Sequence, residues 1–142
     1  AKVIAAGAPY VQDAVVTGIN RDDIGLFIIP RLDECRALVA RAIDAVGLDG
    51  ATAAKRPAPE LLHSSPVRAC FQKLADELWA AGTGSANRVA RLHVLAEPPS
   101  IDKGEVTDKG SVNQRAVLTH RAALVDSLYE GDDPFVILPR KG

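Results

Sequence analysis

A run of six residues without a polar side chain, Ile24 to Ile29, constrains the fold of this chain more than any other stretch. It is rich in β-branched residues and reads as a strand. Val11 to Thr17 reads as a second strand, with Val11, Asp13 and Val15 on one face and Gln12, Ala14 and Val16 on the other. The polar connector Gly18–Asp23 lies between them, so the two are expected to pair, with Ile24–Ile29 the more buried.

Around this pair the apolar spacing is helical. Ala1–Ala6 reads as the end of a helix, stopped by Gly7 and Pro9. Asp33 is the expected N-cap of a helix running to Val46, with Cys35, Leu38, Val39, Ala42 and Val46 on one face and Gly47 as its stop. Leu48–Ser64, rich in Gly, Ala, Pro and polar residues, is predicted to be an extended surface loop. Ser65-Pro66 opens a helix whose apolar face is Val67, Cys70, Phe71, Leu74 and Leu78. Gly82–Ser85 breaks it, lacking the spacing and the following lysine of a phosphate loop. Arg88–Leu95 reads as a third strand, ended by Pro98-Pro99. Val112–Tyr129 reads as one last helix. The tail Asp132–Gly142 carries Phe135, Val136, Ile137 and Leu138 and leaves two readings open, docking on the body or disorder. This order predicts an α+β fold, a small, mainly antiparallel sheet covered by helices.

With 142 residues, 47% of them apolar and 25% charged, the chain has the profile of one soluble globular domain. A formal charge of −1 gives no field that draws it to nucleic acid or to an anionic membrane. No apolar run approaches the ~20 residues of a bilayer span and no signal peptide is visible, so a cytoplasmic location is expected. Cys35 and Cys70 both fall on apolar helix faces without metal-site spacing, which reads as core packing rather than zinc or a disulfide framework. His63, His93 and His120 show no shared spacing, and no metal site is expected. Arg115 and Arg121 read as the solvated face of the last helix.

The stretch most suited to chemistry is Asp102–Gln114, which holds Lys103-Gly104 and Lys109-Gly110. Ser111 and Gln114 have the spacing of a capping box, which places a helix start beside Lys109 and would favour an anionic ligand there. The competing reading is a solvated surface loop.

Here the sequence resembles a known family. Pro98–Leu118, with Lys103-Gly104 and Lys109-Gly110-Ser111-Val112 inside it, is similar to the C-terminal part of feruloyl-CoA synthases, which belong to the adenylate-forming family of acyl-CoA and aryl-CoA ligases. Ala5–Gly18 and Arg21–Gly25 look like the same subgroup, and the similarity extends to about Tyr129. The resemblance implies that residues 1–131 are the small mobile C-terminal domain of an ATP-dependent ligase and that 132–142 are a tail. Its partner would be its own large N-terminal domain, which binds most of the ATP, Mg2+ and coenzyme A and a hydroxycinnamate-type carboxylic acid. The chain has no methionine and opens inside a helical pattern, as a piece of a longer protein would. By itself it is expected to be inactive.

The family's small domain contributes one lysine after a glycine in a loop ahead of the last helix. In strict register with Gly110 and Val112, Ser111 holds that position. Lys109 is therefore the first candidate for the catalytic ammonium, with Lys103 the alternative. Gly110 and Ser111 would lie against the ligand, Gly110 letting the backbone come close and Ser111 serving as a cap. The rival from another class is a free-standing domain that binds a protein or nucleotide without catalysis.

Overall fold

The computed structural model of the chain describes residues 2–17, 24–81, 89–107, 109, 111–130 and 136–139. The apolar run becomes β2 (Ile24–Pro30), which pairs antiparallel with β1 (Val11–Val16) and parallel with β3 (Val89–Val94). Both faces of β2 are covered. Leu26 and Ile28 enter one core, and Phe27 and Ile29 enter another on the opposite face. That is why no position of the run is polar.

The first core is closed by five helices, α1 (Lys2–Ala6), α2 (Leu32–Ala45), α3 (Gly50–Ala53), α4 (Ala58–Leu62) and α5 (Ser65–Ala81). Val67, Phe71, Leu74 and Leu78 of α5 are buried in it, as their spacing requires. The second core is closed by α6 (Gln114–His120) and α7 (Ala122–Glu130), through Val117 and Leu128. A fourth strand, β4 (Val136–Ile137), pairs antiparallel with β3, so segment 136–139 docks on the body. Ile137 enters the first core and Val136 packs on the second. The strand order is β1-β2-β3-β4. Two of the three pairings are antiparallel, giving the expected α+β class, and the central β2/β3 pair is the parallel exception.

Several expectations need correction. Strict alternation in β1 fails because a bulge falls between Val11 and Asp13, so Val11 joins the first core and Val15 the second. Asp33 does not cap α2; Arg31 stands at the N-cap without a side-chain bond, and Asp33 lies in the first turn. At the other end Gly47 has φ +81° and stops α2 as expected, but Val46 is the exposed C-cap. Gly82–Ser85 lies outside the described residues, and α5 ends just before it at Ala81.

The expected loop Leu48–Ser64 instead contains α3 and α4. Asp49 caps α3, its Oδ1 accepting from Thr52 N at 3.2 Å and its Oδ2 from Thr52 Oγ1 at 2.6 Å. Gly50 is buried so closely on α2 that an added Cβ would meet the carbonyl of Ala40 and lie 2.6 Å from Asp44 Oδ1. Arg36 Nη1 donates to Ala54 O and Arg56 O, both at 2.7 Å, and holds the segment against α2. Leu61 and Leu62 of α4 enter the first core. Leu61→Ala is therefore expected to lower the unfolding free energy by about 3 kcal/mol in urea titration, whereas a loop residue at this place would change it little.

Cys35 packs in the first core as expected, whereas Cys70 is only half-buried on α5 and belongs to neither core. Burial, with Cys70 adding to it, pushes the Cys35 thiol up to about 12, which disfavours the thiolate at neutral pH. No helix among the described residues is long and apolar enough to cross a membrane.

Candidate functional site

After β3 the two prolines, Pro98 and Pro99, carry the chain into two successive turns. The first runs from Ser100 to Gly104, with Gly104 N donating to Ile101 O at 3.0 Å and Lys103 N to Ser100 Oγ at 3.3 Å. Lys103 is exposed there. The second is a hairpin. Val106 and Val112 form an antiparallel bridge, and Thr107 N donates to Ser111 O at 2.8 Å. Ser111 N donates to Thr107 Oγ1 at 3.2 Å. Lys109 lies between them at the hairpin end and is exposed, while Gly110 lies outside the described residues.

This arrangement changes the local argument for an anion. The helix begins at Gln114, and its cap is Asn113, whose Oδ1 accepts from Ala116 N at 3.2 Å. Ser111 is not the cap, because its amide closes the hairpin instead. The returning strand from Ser111 to Asn113 therefore separates Lys109 from the helix start, and α6 is only seven residues long. What commends Lys109 is a cationic side chain held at an exposed hairpin end, not the helix dipole.

The root of the hairpin holds two residues the sequence reading missed. Glu105 is buried, and its backbone joins the two turns, its N donating to Ser100 O at 2.9 Å and its O accepting from Asn113 N at 2.8 Å. Its carboxylate accepts a forked pair from Arg121, Nε to Oε2 at 2.9 Å and Nη2 to Oε1 at 3.1 Å. Ser100 N adds a third bond to Oε1 at 2.9 Å. Arg121 also donates to Glu97 O through Nη1 and to Pro98 O through Nη2, each at 3.0 Å. The Arg121 hydrogen bond, opposed by burial, holds the Glu105 carboxyl below its usual range.

Arg121 was expected on a solvated face, yet only 10% of its side chain is exposed. The predicted continuous helix breaks at this residue, the C-cap of α6, before α7 begins. A signal was present in the spacing. Arg121 follows the buried Val117 by one i,i+4 step and precedes Val125 by another, which puts it on the apolar stripe. Arg115 is exposed, as expected.

The other candidates are not gathered into a site. His63 is exposed at the C-cap of α4 and His120 in the last turn of α6. His93 is buried, edge-on to Phe27 at 5.4 Å between ring centroids. Among the described residues no group of three or more His, Cys, Asp or Glu could hold a metal ion. A cleft of about 390 Å³ beside the hairpin is largely apolar, formed by Ile29, Leu95, Pro99, Ile101, Val106 and Val112, with Arg31 and Asp33 at α2; neither Lys103 nor Lys109 is among its lining residues.

No family model matches the chain, and no curated protein does. Solved structures are similar in fold. The A domain of carboxylic acid reductase from Segniliparus rugosus, in complex with AMP and a co-purified carboxylic acid, aligns with a TM-score of 0.55 and 18% identity, over 93% of this chain and 18% of that one. The A-PCP didomain of carboxylic acid reductase from the same organism, in complex with AMP, gives 0.52 and 18%, over 92% of this chain and 16% of that one. The chain thus spans under a fifth of either length. It has the fold of a small part of an AMP-binding A-domain structure.

Proposed function

We propose that residues 1–131 are the C-terminal lid domain of an ATP-dependent acid–CoA ligase, feruloyl-CoA synthase-like, acting in the cytoplasm, with 132–142 as a tail. The observation that carries this reading is the fold likeness, which takes in nearly all of this chain but a small fraction of proteins solved with AMP. The resemblance of Pro98–Leu118 to the same class supports it independently.

In this reading the large partner domain holds ATP and a hydroxycinnamate-type acid. The carboxylate attacks the α-phosphate, pyrophosphate leaves, and an acyl-adenylate forms. The thiol of coenzyme A then attacks the acyl carbon, and AMP leaves. Attack brings several negative charges together, and the ammonium of Lys109, carried in by the closing lid, stabilises them. Lys103 is the alternative, one turn earlier on the same loop. Gly110 and Ser111 flank the ammonium. In this reading ATP, Mg2+ and coenzyme A are held mainly by the partner domain. A second version keeps the mechanism and changes the acid to another aryl or fatty carboxylate; one neighbour was solved with a co-purified carboxylic acid.

The isolated chain is expected to bind ATP weakly or not at all, with a Kd above about 1 mM in calorimetry. A micromolar complex would instead support a free-standing nucleotide-binding domain.

A further inference from the structure

We infer that Arg121 is the positioning residue of the Lys109 hairpin. The inference rests on the assignment of Lys109 above and adds what aims it.

The geometry is a single grip at a junction. Glu105 is the residue where the Ser100–Gly104 turn ends and the hairpin begins, and its backbone bonds to both Ser100 and Asn113. Arg121 holds its carboxylate through two parallel bonds and uses two further donors on Glu97 O and Pro98 O. The guanidinium therefore ties the strand leaving β3, the first turn and the hairpin root to the junction of α6 and α7. That junction is itself fixed, because Val117 and Leu128 on either side are buried in the second core. Beyond the root, among the described residues, the Val106–Val112 bridge and the Thr107–Ser111 bonds close the hairpin on itself, so the direction of Lys109 follows the angle at Glu105. A charged group misplaced by about 1 Å loses much of its effect on a transition state. Arginine suits this place and lysine does not, since only the planar fork supplies parallel bonds and two further donors together.

The test uses R121K, which keeps the charge and loses the fork. In the chain itself, amide exchange at Thr107 and Asn113 is expected to rise about tenfold relative to the β2 amides. In the full-length protein, R121K is expected to lower the turnover of adenylate formation about tenfold, with KM for ATP and acid within about twofold. The double variant R121K/K109A is expected to be no slower than K109A alone, within about twofold, because removing the ammonium leaves nothing to aim. Unchanged exchange at the hairpin, or a further tenfold loss on the K109A background, would overturn the positioning role while leaving Lys109 in place. A K109A variant at full rate would defeat the Lys109 assignment itself and the positioning role with it.

Discussion

Lys109→Ala in the full-length protein is expected to slow adenylate formation by at least ~100-fold, about 2.7 kcal/mol of transition-state stabilisation. The loss falls on turnover more than on KM, because the ammonium acts on charge that develops during attack. Lys109 is exposed at a hairpin end and forms no part of either core, so the variant keeps the stability of the parent. The control is Ser111→Lys on the K109A background, which puts a lysine in the family's own register on the returning strand. Recovery of rate there would show that the two positions serve one ammonium site. A parental rate in K109A would pass the role to Lys103.

The second large effect is on stability. Arg121→Ala leaves the Glu105 carboxylate buried without its forked partner and is expected to lower the unfolding free energy at pH 7 by about 4 kcal/mol. An exposed ion pair would lose at most about 1 kcal/mol. The same pair sets an acid dependence. The carboxyl titrates lower folded than unfolded, so its contribution is fully present above the ordinary glutamate value near ~4.3 and is lost as the pH falls through the depressed folded value. Glu105→Gln removes the titrating group, and its stability should fall less steeply than the parent's below pH ~4. Urea titrations of both at neutral and acid pH read the difference.

How much of this was legible follows from the length of each signal. The six residues of Ile24–Ile29 and the seventeen of α5 repeat their pattern often enough to place the main strand and a long helix. α3 and α4, of four and five residues, span little more than one turn each, so periodicity has nothing to repeat; their evidence lies in tertiary contacts such as Arg36 to Ala54 O. Ser111 matched a capping box, but Val106 and Val112 close a hairpin first, and Asn113 is the residue left free to cap. A local pattern cannot foresee that competition. Arg121 was assigned to the solvated face by its charge, although its spacing lies on the apolar stripe; the pairing across sixteen residues to Glu105 is what lets a charge sit there. The local pattern singled out Lys103, Lys109 and Ser111, the resemblance gave them a role, and the fold supplies their setting: an exposed pair of turns braced by a buried ion pair.

The central claim is that this chain is the lid of an adenylating enzyme, and carboxylate-dependent ATP–pyrophosphate exchange tests it most directly. The comparison is between the full-length protein and the same protein without residues 1–142, each given ferulate and then a panel of aryl and fatty acids. The account predicts exchange with at least one of these acids, falling at least ~100-fold when the chain is removed. Exchange that persists undiminished without the chain, or full-length protein that exchanges with no carboxylic acid, would contradict it.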